Sequence, residues 1–364
     1  MEGDQKMTDI IKNNYDSEAG ITKKIKVYPL HVGDTKIPVG QFYYKGLKGV
    51  NANKEWLRFF TTGKVQNIIA PIHSYLIEHP KEGLILVDTG INRFQANEHK
   101  EYYKQSRALS FVLGEDEYIL SQEQELPAQI ERLGYQCEDV KTIIMTHLHE
   151  DHVGGLRYFP NARVIVAQKE YDLVKNHVKL FLVVPLIYEP SVDMVRNWDP
   201  INYTSGPFHN FSKSQDVFGD GSIIMLPTPG HDPGHSCVLV QMDGYELLIL
   251  GDIIYTFRHL DVDNIRQVIY GGKEVVEQQV NSIRSIRQLK KEMPNLVIVT
   301  LHDNTDYQFK YLDTFLSNGT LSPEELEKIK TYEKSIFDSE LHLRPDAFPK
   351  FIPPEKGEDL GKII

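Results

Sequence analysis

Short apolar segments rich in β-branched residues recur through the first 300 residues of this 364-residue chain, and most are bounded by glycine, proline or aspartate. Segments of this length and composition are typical of buried β-strands. They read SYLIEH, GLILVDTG, VKTIIMTH, ARVIVAQ, SIIMLPTPG, SCVLVQM, YELLILGD and NLVIVTLH. Strands that are apolar on both faces must be covered by other layers, so this pattern limits the fold to a few layered architectures.

Helical patterns lie between several of these strands. In ELPAQIERLG, residues Leu126, Ile130 and Leu133 share one face, and Gly134 is predicted to end the helix. A longer apolar stripe, in EVVEQQVNSIRSIRQLKKEMP, ends before Pro294. Strands and helices mixed in this way predict an α/β fold with layers around two sheets.

Charge and cysteine content exclude several classes of partner. The chain has 40 Lys and Arg against 51 Asp and Glu, a net charge of −11, and its basic residues are scattered. The electrostatic attraction that drives nucleic-acid binding is therefore missing. Cys137 and Cys237 are too few for a disulfide framework. The polar N-terminus and the short apolar stretch Leu180–Tyr188 predict a soluble, cytoplasmic protein that does not bind membranes.

The segment THLHEDHVGG, directly after the strand pattern VKTIIM, holds three histidines and an aspartate within six residues. On an extended chain His147 and His149 can turn to one side while Leu148 packs inward. Asp151 and His152 are adjacent, so they point elsewhere once the chain turns towards the following glycines. This loop therefore offers two ligands to one metal ion and two to another.

Polar side chains also end three later strands. His231 follows SIIMLPTPG, Asp252 follows YELLILG and His302 follows NLVIVTL. Taken singly, each is explained as well by an ordinary polar residue as by a ligand, whereas the ordered set favours a metal site. Five imidazoles and two carboxylates without a thiolate suit two divalent cations, with one aspartate bridging them. The candidate ligands are His147, His149, Asp151, His152, His231, Asp252 and His302. By contrast, we interpret five others as ordinary core or surface histidines: His31, His99, His177, His259 and His342.

The order of these motifs resembles that of the metallo-β-lactamase superfamily of binuclear metallohydrolases, from ILVDTG through THLHEDHVGG, TPGHDPGHS and GD to LHD. The resemblance covers about Val27 to His302. It implies a four-layer αββα sandwich, with Asp88 as a structural aspartate and His235 supporting the ligands from behind. It also divides the ligands: His147, His149 and His231 for the first ion, Asp151, His152 and His302 for the second, and Asp252 bridging.

We predict three parts of the chain: residues 1–24 as a polar N-terminal extension, 25–310 as a metallo-β-lactamase-like catalytic domain, and 311–364 as a C-terminal helix and Pro-rich tail that pack on it. Ser322, Pro323 and Glu325 form a capping box with proline at the first helical position, which predicts where that helix begins.

Within the superfamily, three features resemble the N-acyl-homoserine lactone lactonases, the quorum-quenching branch. Tyr255 in GDIIY lies where those enzymes keep a tyrosine facing the substrate. TPGHDPGHS has their double-histidine form, and KIKVYPLHVGDTKIPVGQFYY resembles their first strand and loop. The chain is longer than typical members, at the N-terminus, in Asp172–Phe218 and after His302.

The resemblance implies that metal-bound hydroxide opens a lactone or related ester, with Asp151 passing a proton to the leaving group and Tyr255 hydrogen bonding to the carbonyl oxygen. We expect two divalent ions per chain, zinc first, with iron, manganese or cobalt as alternatives. The apolar VKLFLVVPLIY and the aromatic GQFYYKGLKGVNANKEWLRFF could form an acyl pocket, or simply belong to the core or to a homodimer surface.

Three rival functions use a similar metal set. A thioesterase resembling glyoxalase II would need paired basic residues near its C-terminus, and EELEKIKTYEKSIF shows no clear pairing. Phosphodiesterase, nuclease and aryl esterase activity are further alternatives, although the net charge of −11 disfavours nucleic-acid substrates. A diiron oxygen-reducing protein would usually need a flavin domain, for which the sequence shows no pattern.

Overall fold

The structure is a computed structural model that describes residues 24–38, 67–104, 118–176, 179–180, 184–185, 189–260, 272–303 and 312–338. Its strands are β1 (Lys26–Pro38), β2 (Asn67–His79), β3 (Gly83–Val87), β4 (Tyr118–Ile119), β5 (Val140–Ile144), β6 (Arg163–Ala167), β7 (Lys179–Leu180), β8 (Val184–Pro185), β9 (Asn197–Ile201), β10 (Gly206–Phe208), β11 (Phe211–Asp216), β12 (Ile223–Pro227), β13 (Ser236–Gln241), β14 (Glu246–Ile249) and β15 (Leu296–Val299).

The α-helices of the described residues are α1 (Arg93–Asn97), α2 (His99–Tyr102), α3 (Leu126–Arg132), α4 (Glu150–Val153), α5 (Gln168–Lys175), α6 (Glu189–Val192), α7 (Gly272–Glu292), α8 (Asp313–Leu316) and α9 (Pro323–Asp338). The predicted helix ends are confirmed. Gly134, just after α3, has a φ of +86°, a left-handed conformation that glycine adopts without strain. Ser322 and Glu325 form the predicted capping box: each backbone N–H donates to the other residue's side chain.

Two sheets account for most strands. The first sheet has the order β4-β1-β2-β3-β5-β6-β9, and the second has the order β10-β11-β12-β13-β14-β15. In the first sheet, β3, β5, β6 and β9 are parallel, whereas β1 and β2 pair antiparallel. In the second, β14 and β15 pair in parallel at one edge. β7 and β8 form a separate two-stranded pair.

Side-chain alternation along the first sheet separates two hydrophobic cores. Tyr75 and Ile77 belong to the core shared with the second sheet, whereas Leu76, between them, belongs to the core on the opposite face. Helix α3 covers that opposite face with Leu126 and Ile130, and α7 packs its apolar stripe on the second sheet. The layers are therefore helix, sheet, sheet and helix, which confirms the predicted αββα sandwich.

The two sheets join at the edge where the candidate ligands lie. The backbone N–H of Ser236, at the start of β13, donates to the carbonyl of Thr146 after β5, over 2.9 Å. His73 on β2 likewise donates its backbone N–H to Leu301 after β15, over 3.0 Å. Loops that leave both sheets are thus fixed to one another by main-chain hydrogen bonds.

Within the described residues, no helix is long and apolar enough to cross a membrane. Several predicted features lie outside those residues: the N-terminal extension up to residue 23, the Pro-rich tail, most of both candidate acyl-pocket segments, His177 and His342. The proposed division of the chain at residues 24 and 310 stays a prediction.

Candidate metal centre

The loop after β5 turns sharply between its two pairs of candidate ligands. Leu148 is fully buried in the core outside the first sheet, which leaves the imidazoles on either side of it facing away from that core. Helix α4 then begins, and the N–H groups of His152 and Val153 both donate to the carbonyl of His149. This single turn of helix directs Asp151 and His152 away from the first two histidines.

His147, His149 and His231, here called the first group, bring three imidazole nitrogens together. Nε2 of His231 lies 3.1 Å from Nε2 of His147 and 2.9 Å from Nδ1 of His149. The preceding Gly230 has a φ of +137°, and a Cβ there would lie 2.3 Å from backbone atoms of Gln279. Only glycine lets this loop pass so close to α7 and still present His231 to the others.

Asp151, His152 and His302, the second group, converge beside the first. Nε2 of His152 lies 3.6 Å from Oδ1 of Asp151, and Nε2 of His302 lies 3.3 Å from Oδ2 of the same carboxylate. Both imidazoles are buried, whereas the Asp151 side chain keeps 14% exposure. Asp151 therefore stands on the open side of the centre.

The carboxylate of Asp252, which follows β14, lies between the two groups. Its Oδ2 is 3.4 Å from Nε2 of His231 and 3.8 Å from Nε2 of His147. Its Oδ1 is 3.3 Å from Nε2 of both His152 and His302. One oxygen thus faces each group, which is the arrangement that a carboxylate bridging two cations requires.

Hydrogen bonds from behind set which nitrogen of each imidazole faces the centre. Nδ1 of His152 donates to Oδ2 of Asp88 over 2.9 Å, and Nδ1 of His302 donates to the Pro71 carbonyl over 2.8 Å. In both rings Nε2 is then the nitrogen that could offer a lone pair to a cation. His235 accepts the backbone N–H of Asp252 at Nε2 over 3.0 Å, so it holds the central carboxylate in place.

Asp88 does more than the structural role expected of it. Its Oδ1 accepts the backbone N–H of Thr146, and its Oδ2 accepts both the Thr146 hydroxyl and the His152 imidazole N–H. Its φ of 55° is rare for a residue other than glycine. Thr89 adds two hydrogen bonds to the carbonyl of His152. The VDTG segment therefore orients a candidate ligand as well as shaping the loop.

The charge distribution favours positive ions between the two groups. Burial, reinforced by neighbouring imidazoles, lowers the pKa of His147 and His231 well below its ordinary value, so both rings are neutral. Burial opposes ionisation of Asp252, but His302 and His152 outweigh it and lower its pKa. Burial also opposes charge on His152 and His302, yet the Asp252 and Asp151 carboxylates raise the pKa of both rings.

These donor sets fit two divalent cations. Nε2 of His231 lies about 3 Å from one ring nitrogen of His147 and one of His149, so the three imidazoles could hold one cation together. The second group adds two imidazoles and a carboxylate, and Asp252 supplies an oxygen to each. A nitrogen and oxygen set of this kind, without thiolate, suits zinc, iron, manganese or cobalt.

Comparison of the sequence with models of protein families shows the superfamily of this chain. The model of the metallo-beta-lactamase superfamily matches residues 69–302, more than half of the chain. The chain belongs to the metallo-β-lactamase superfamily.

Relatives within the metallo-β-lactamase superfamily include lactonases. N-acyl homoserine lactonase AttM of Rhizobium radiobacter is 31% identical to this chain over 188 residues. The match covers 51% of this chain and 66% of AttM, so this chain spans just under two thirds of that relative. An N-acyl homoserine lactonase of Bacillus thuringiensis is 28% identical over 249 residues, 67% of this chain and 84% of that protein.

A solved N-acyl homoserine lactone hydrolase, with the product N-hexanoyl-L-homoserine at its catalytic metal centre, superposes with a TM-score of 0.55 and 24% identity. The match covers 77% of this chain and 93% of that structure. At this identity the likeness establishes the shared metallo-β-lactamase fold.

Tyr255 lies against both groups of this metallo-β-lactamase site. Its ring centroid is 5.7 Å from that of His231 and 5.5 Å from that of His302, and both pairs meet edge to face. Burial and the nearby Asp252 carboxylate raise the pKa of the phenol well above its ordinary value. The hydroxyl is therefore neutral and can donate a hydrogen bond.

Of the five histidines interpreted as ordinary, the three that the structure describes have other contacts. His31 pairs with Asp34 at 3.1 Å, and His99 packs against the ring of Tyr103. His259 accepts the backbone N–H of Tyr255 and so fixes the turn after Asp252.

Two buried acidic residues behind the first group were not predicted from the sequence. Asp232 lies with Oδ2 3.0 Å from Nε2 of His149, and Glu170 on α5 accepts the backbone N–H of Gly234 over 2.9 Å. Asp232 could have been suspected because it follows His231 directly. Glu170 carries no comparable signal, since it lies far from every motif in the sequence.

Proposed function

We propose that this chain is a binuclear metal-dependent hydrolase that opens the ester bond of a lactone, an N-acyl-homoserine lactone or a close relative. The observation that carries the proposal is the position of Asp252, whose two oxygens face two separate groups of imidazoles. Two divalent cations so placed would polarise an ester carbonyl and lower the pKa of a water molecule towards neutrality.

The ligands of the first ion would be His147, His149 and His231, those of the second would be Asp151, His152 and His302, and Asp252 would serve both. Asp151 is the carboxylate ligand with access to the open side, since its side chain keeps 14% exposure and that of Asp252 only 4%. From there its carboxylate can take up a proton and release it to the alkoxide that leaves when the ring opens.

Tyr255, which lies against His231 and His302, would act on the substrate directly. Its neutral phenol can donate a hydrogen bond to the ester carbonyl oxygen, a bond that strengthens as negative charge develops there. Edge contacts with His231 and His302 restrict the ring, so the hydroxyl would already be oriented when the substrate binds.

The substrate class rests on the relatives, several of which are named N-acyl homoserine lactonases. The net charge of −11 supports a small neutral substrate over a polyanion. We propose zinc as the resident ion on the donor set, with iron, manganese and cobalt as alternatives.

A product panel tests the proposal. Protein loaded with zinc is offered an N-acyl-homoserine lactone, a simple lactone, a glutathione thioester, an aryl ester and a phosphodiester, and the products are identified by mass spectrometry. We expect ring opening of the lactones and loss of that activity in His231→Gln. His31→Gln, which removes an imidazole outside the centre, is the matched control and should stay active. Turnover of the thioester or phosphodiester in preference to both lactones would contradict the proposal.

A further inference from the structure

Asp232 lies directly behind the first group, in the turn between His231 and His235. The residue is 1% exposed. Its Oδ2 lies 3.0 Å from Nε2 of His149, the nitrogen opposite the one that faces His231. The carboxylate therefore lies at one end of the imidazole ring whose other end faces His231.

The backbone around Asp232 is fixed on both sides. Its carbonyl accepts the N–H groups of Gly230 and His235, which closes a tight turn. The backbone N–H of Gly234 donates to Glu170, and a Cβ at Gly234 would lie 2.6 Å from the backbone nitrogen of Glu170. Helix α5 thus packs directly against the backbone of the turn that carries Asp232.

We propose that Asp232 is a positioning residue for the first metal ion. It accepts a hydrogen bond from the Nε2–H of His149, fixes the tautomer in which Nδ1 carries the lone pair, and makes that nitrogen a stronger ligand. The inference rests on the proposed metal centre, and it is independent of the proposed substrate.

The charge balance of the turn supports this role. Glu170 is fully buried beside Asp232, and burial together with the Asp232 carboxylate raises the pKa of Glu170 well above its ordinary value. The turn therefore buries two acidic side chains, and Asp232 is the one that lies against His149. A buried carboxylate is strongly unfavourable unless a positive group faces it. The His149 N–H, polarised by an ion on the far side of the ring, would supply that group.

The first experiment measures zinc affinity by competition with a chelator in the wild type, Asp232→Asn and a control, Asp34→Asn. Asp34 is buried and contacts His31 over 3.1 Å, so the control removes the same kind of contact away from the centre. We expect Asp232→Asn to bind one of its two zinc ions roughly 10- to 100-fold more weakly than the wild type does. Its affinity for the other zinc ion should be unchanged. Asp34→Asn should match the wild type.

The second experiment needs no folded variant of Asp232. In zinc-loaded wild-type protein labelled with ¹⁵N-histidine, NMR should show His149 with a slowly exchanging Nε2–H and with zinc on Nδ1. The His149 signal is identified by its loss in His149→Gln. Zinc on Nε2 of His149 would overturn the inference, as would Asp232→Asn with both affinities within twofold of wild type. If the wild-type protein binds no zinc, the proposed metal centre itself is wrong. This outcome can be told apart from the other two, which concern only the role of Asp232.

Discussion

Replacement of Asp88 by asparagine tests how the second group is oriented. The wild-type carboxylate accepts three hydrogen bonds, from the backbone and hydroxyl of Thr146 and from Nδ1 of His152. Asparagine keeps the size and tolerates the left-handed backbone at φ 55°. What changes is that one acceptor oxygen becomes an N–H₂ donor.

Neither orientation of the new amide satisfies all three donors. If its oxygen keeps the Thr146 backbone N–H, its N–H₂ group faces the N–H of His152. The ring can relieve that clash only by moving its proton to Nε2, the atom that faces Asp252. Loss of a charge-assisted hydrogen bond costs about 1.5–3 kcal/mol. That corresponds to roughly 10- to 100-fold weaker binding of the second ion.

The assay is zinc competition together with thermal unfolding of the zinc-free protein. We expect Asp88→Asn to bind the second ion more weakly while its zinc-free unfolding temperature stays close to that of wild type. Asp88→Ala should lower both, because alanine loses all three hydrogen bonds and is strained at this φ. Unchanged affinity for both ions in Asp88→Asn would refute the tautomer assigned to His152.

Three further predictions concern the centre and its support. Asp252→Ala should reduce bound zinc from two ions to at most one and slow lactone opening by roughly 1,000-fold, since carbonyl polarisation by an ion contributes several kcal/mol. Metal analysis and kinetics on one preparation test this prediction. Retention of both ions would contradict the bridging role of Asp252. Tyr255→Phe should keep both ions and lower kcat about tenfold, because the packed ring remains while the hydroxyl donor is lost. If its kinetics equal those of the wild type, Tyr255 contributes only packing. Gly230→Ala should destabilise the fold by about 1–3 kcal/mol, because its Cβ would meet Gln279 at 2.3 Å in a strained backbone. Denaturant unfolding measures this change in the free energy of unfolding. A variant as stable as the wild type would show that the loop can move away from α7.

Much of the fold could be predicted from local patterns. Each apolar segment singled out in the sequence coincides with a strand, and the capping box at Ser322 begins α9 where predicted. These signals are local, because strand alternation, helical spacing and caps depend on residues a few positions apart. The order of polar residues at strand ends predicted which side chains meet, since loops at one edge of a layered fold converge.

The remaining features depend on contacts between distant segments. Glu170 meets the turn at Gly234 only because α5 packs against it, and no periodicity in the sequence records that approach. Which nitrogen of His149 faces His231 is equally hidden, since the sequence does not show how the ring lies between His231 and Asp232. The strained backbone of Asp88 could not be predicted either, because aspartate is compatible with ordinary conformations as well.

The candidate ligands come from both sheets: His147 and His149 follow β5 of the first, whereas His231 follows β12 of the second. An ion in the first group would act as a reversible cross-link between the halves of the sandwich, formed only in the folded chain. By mass action, free zinc at roughly 1,000 times its dissociation constant would add about 4 kcal/mol to the free energy of unfolding. The lifetime of this protein against proteolysis would then follow the zinc supply of the cell, so that scarcity of the ion would remove the protein as well as its activity.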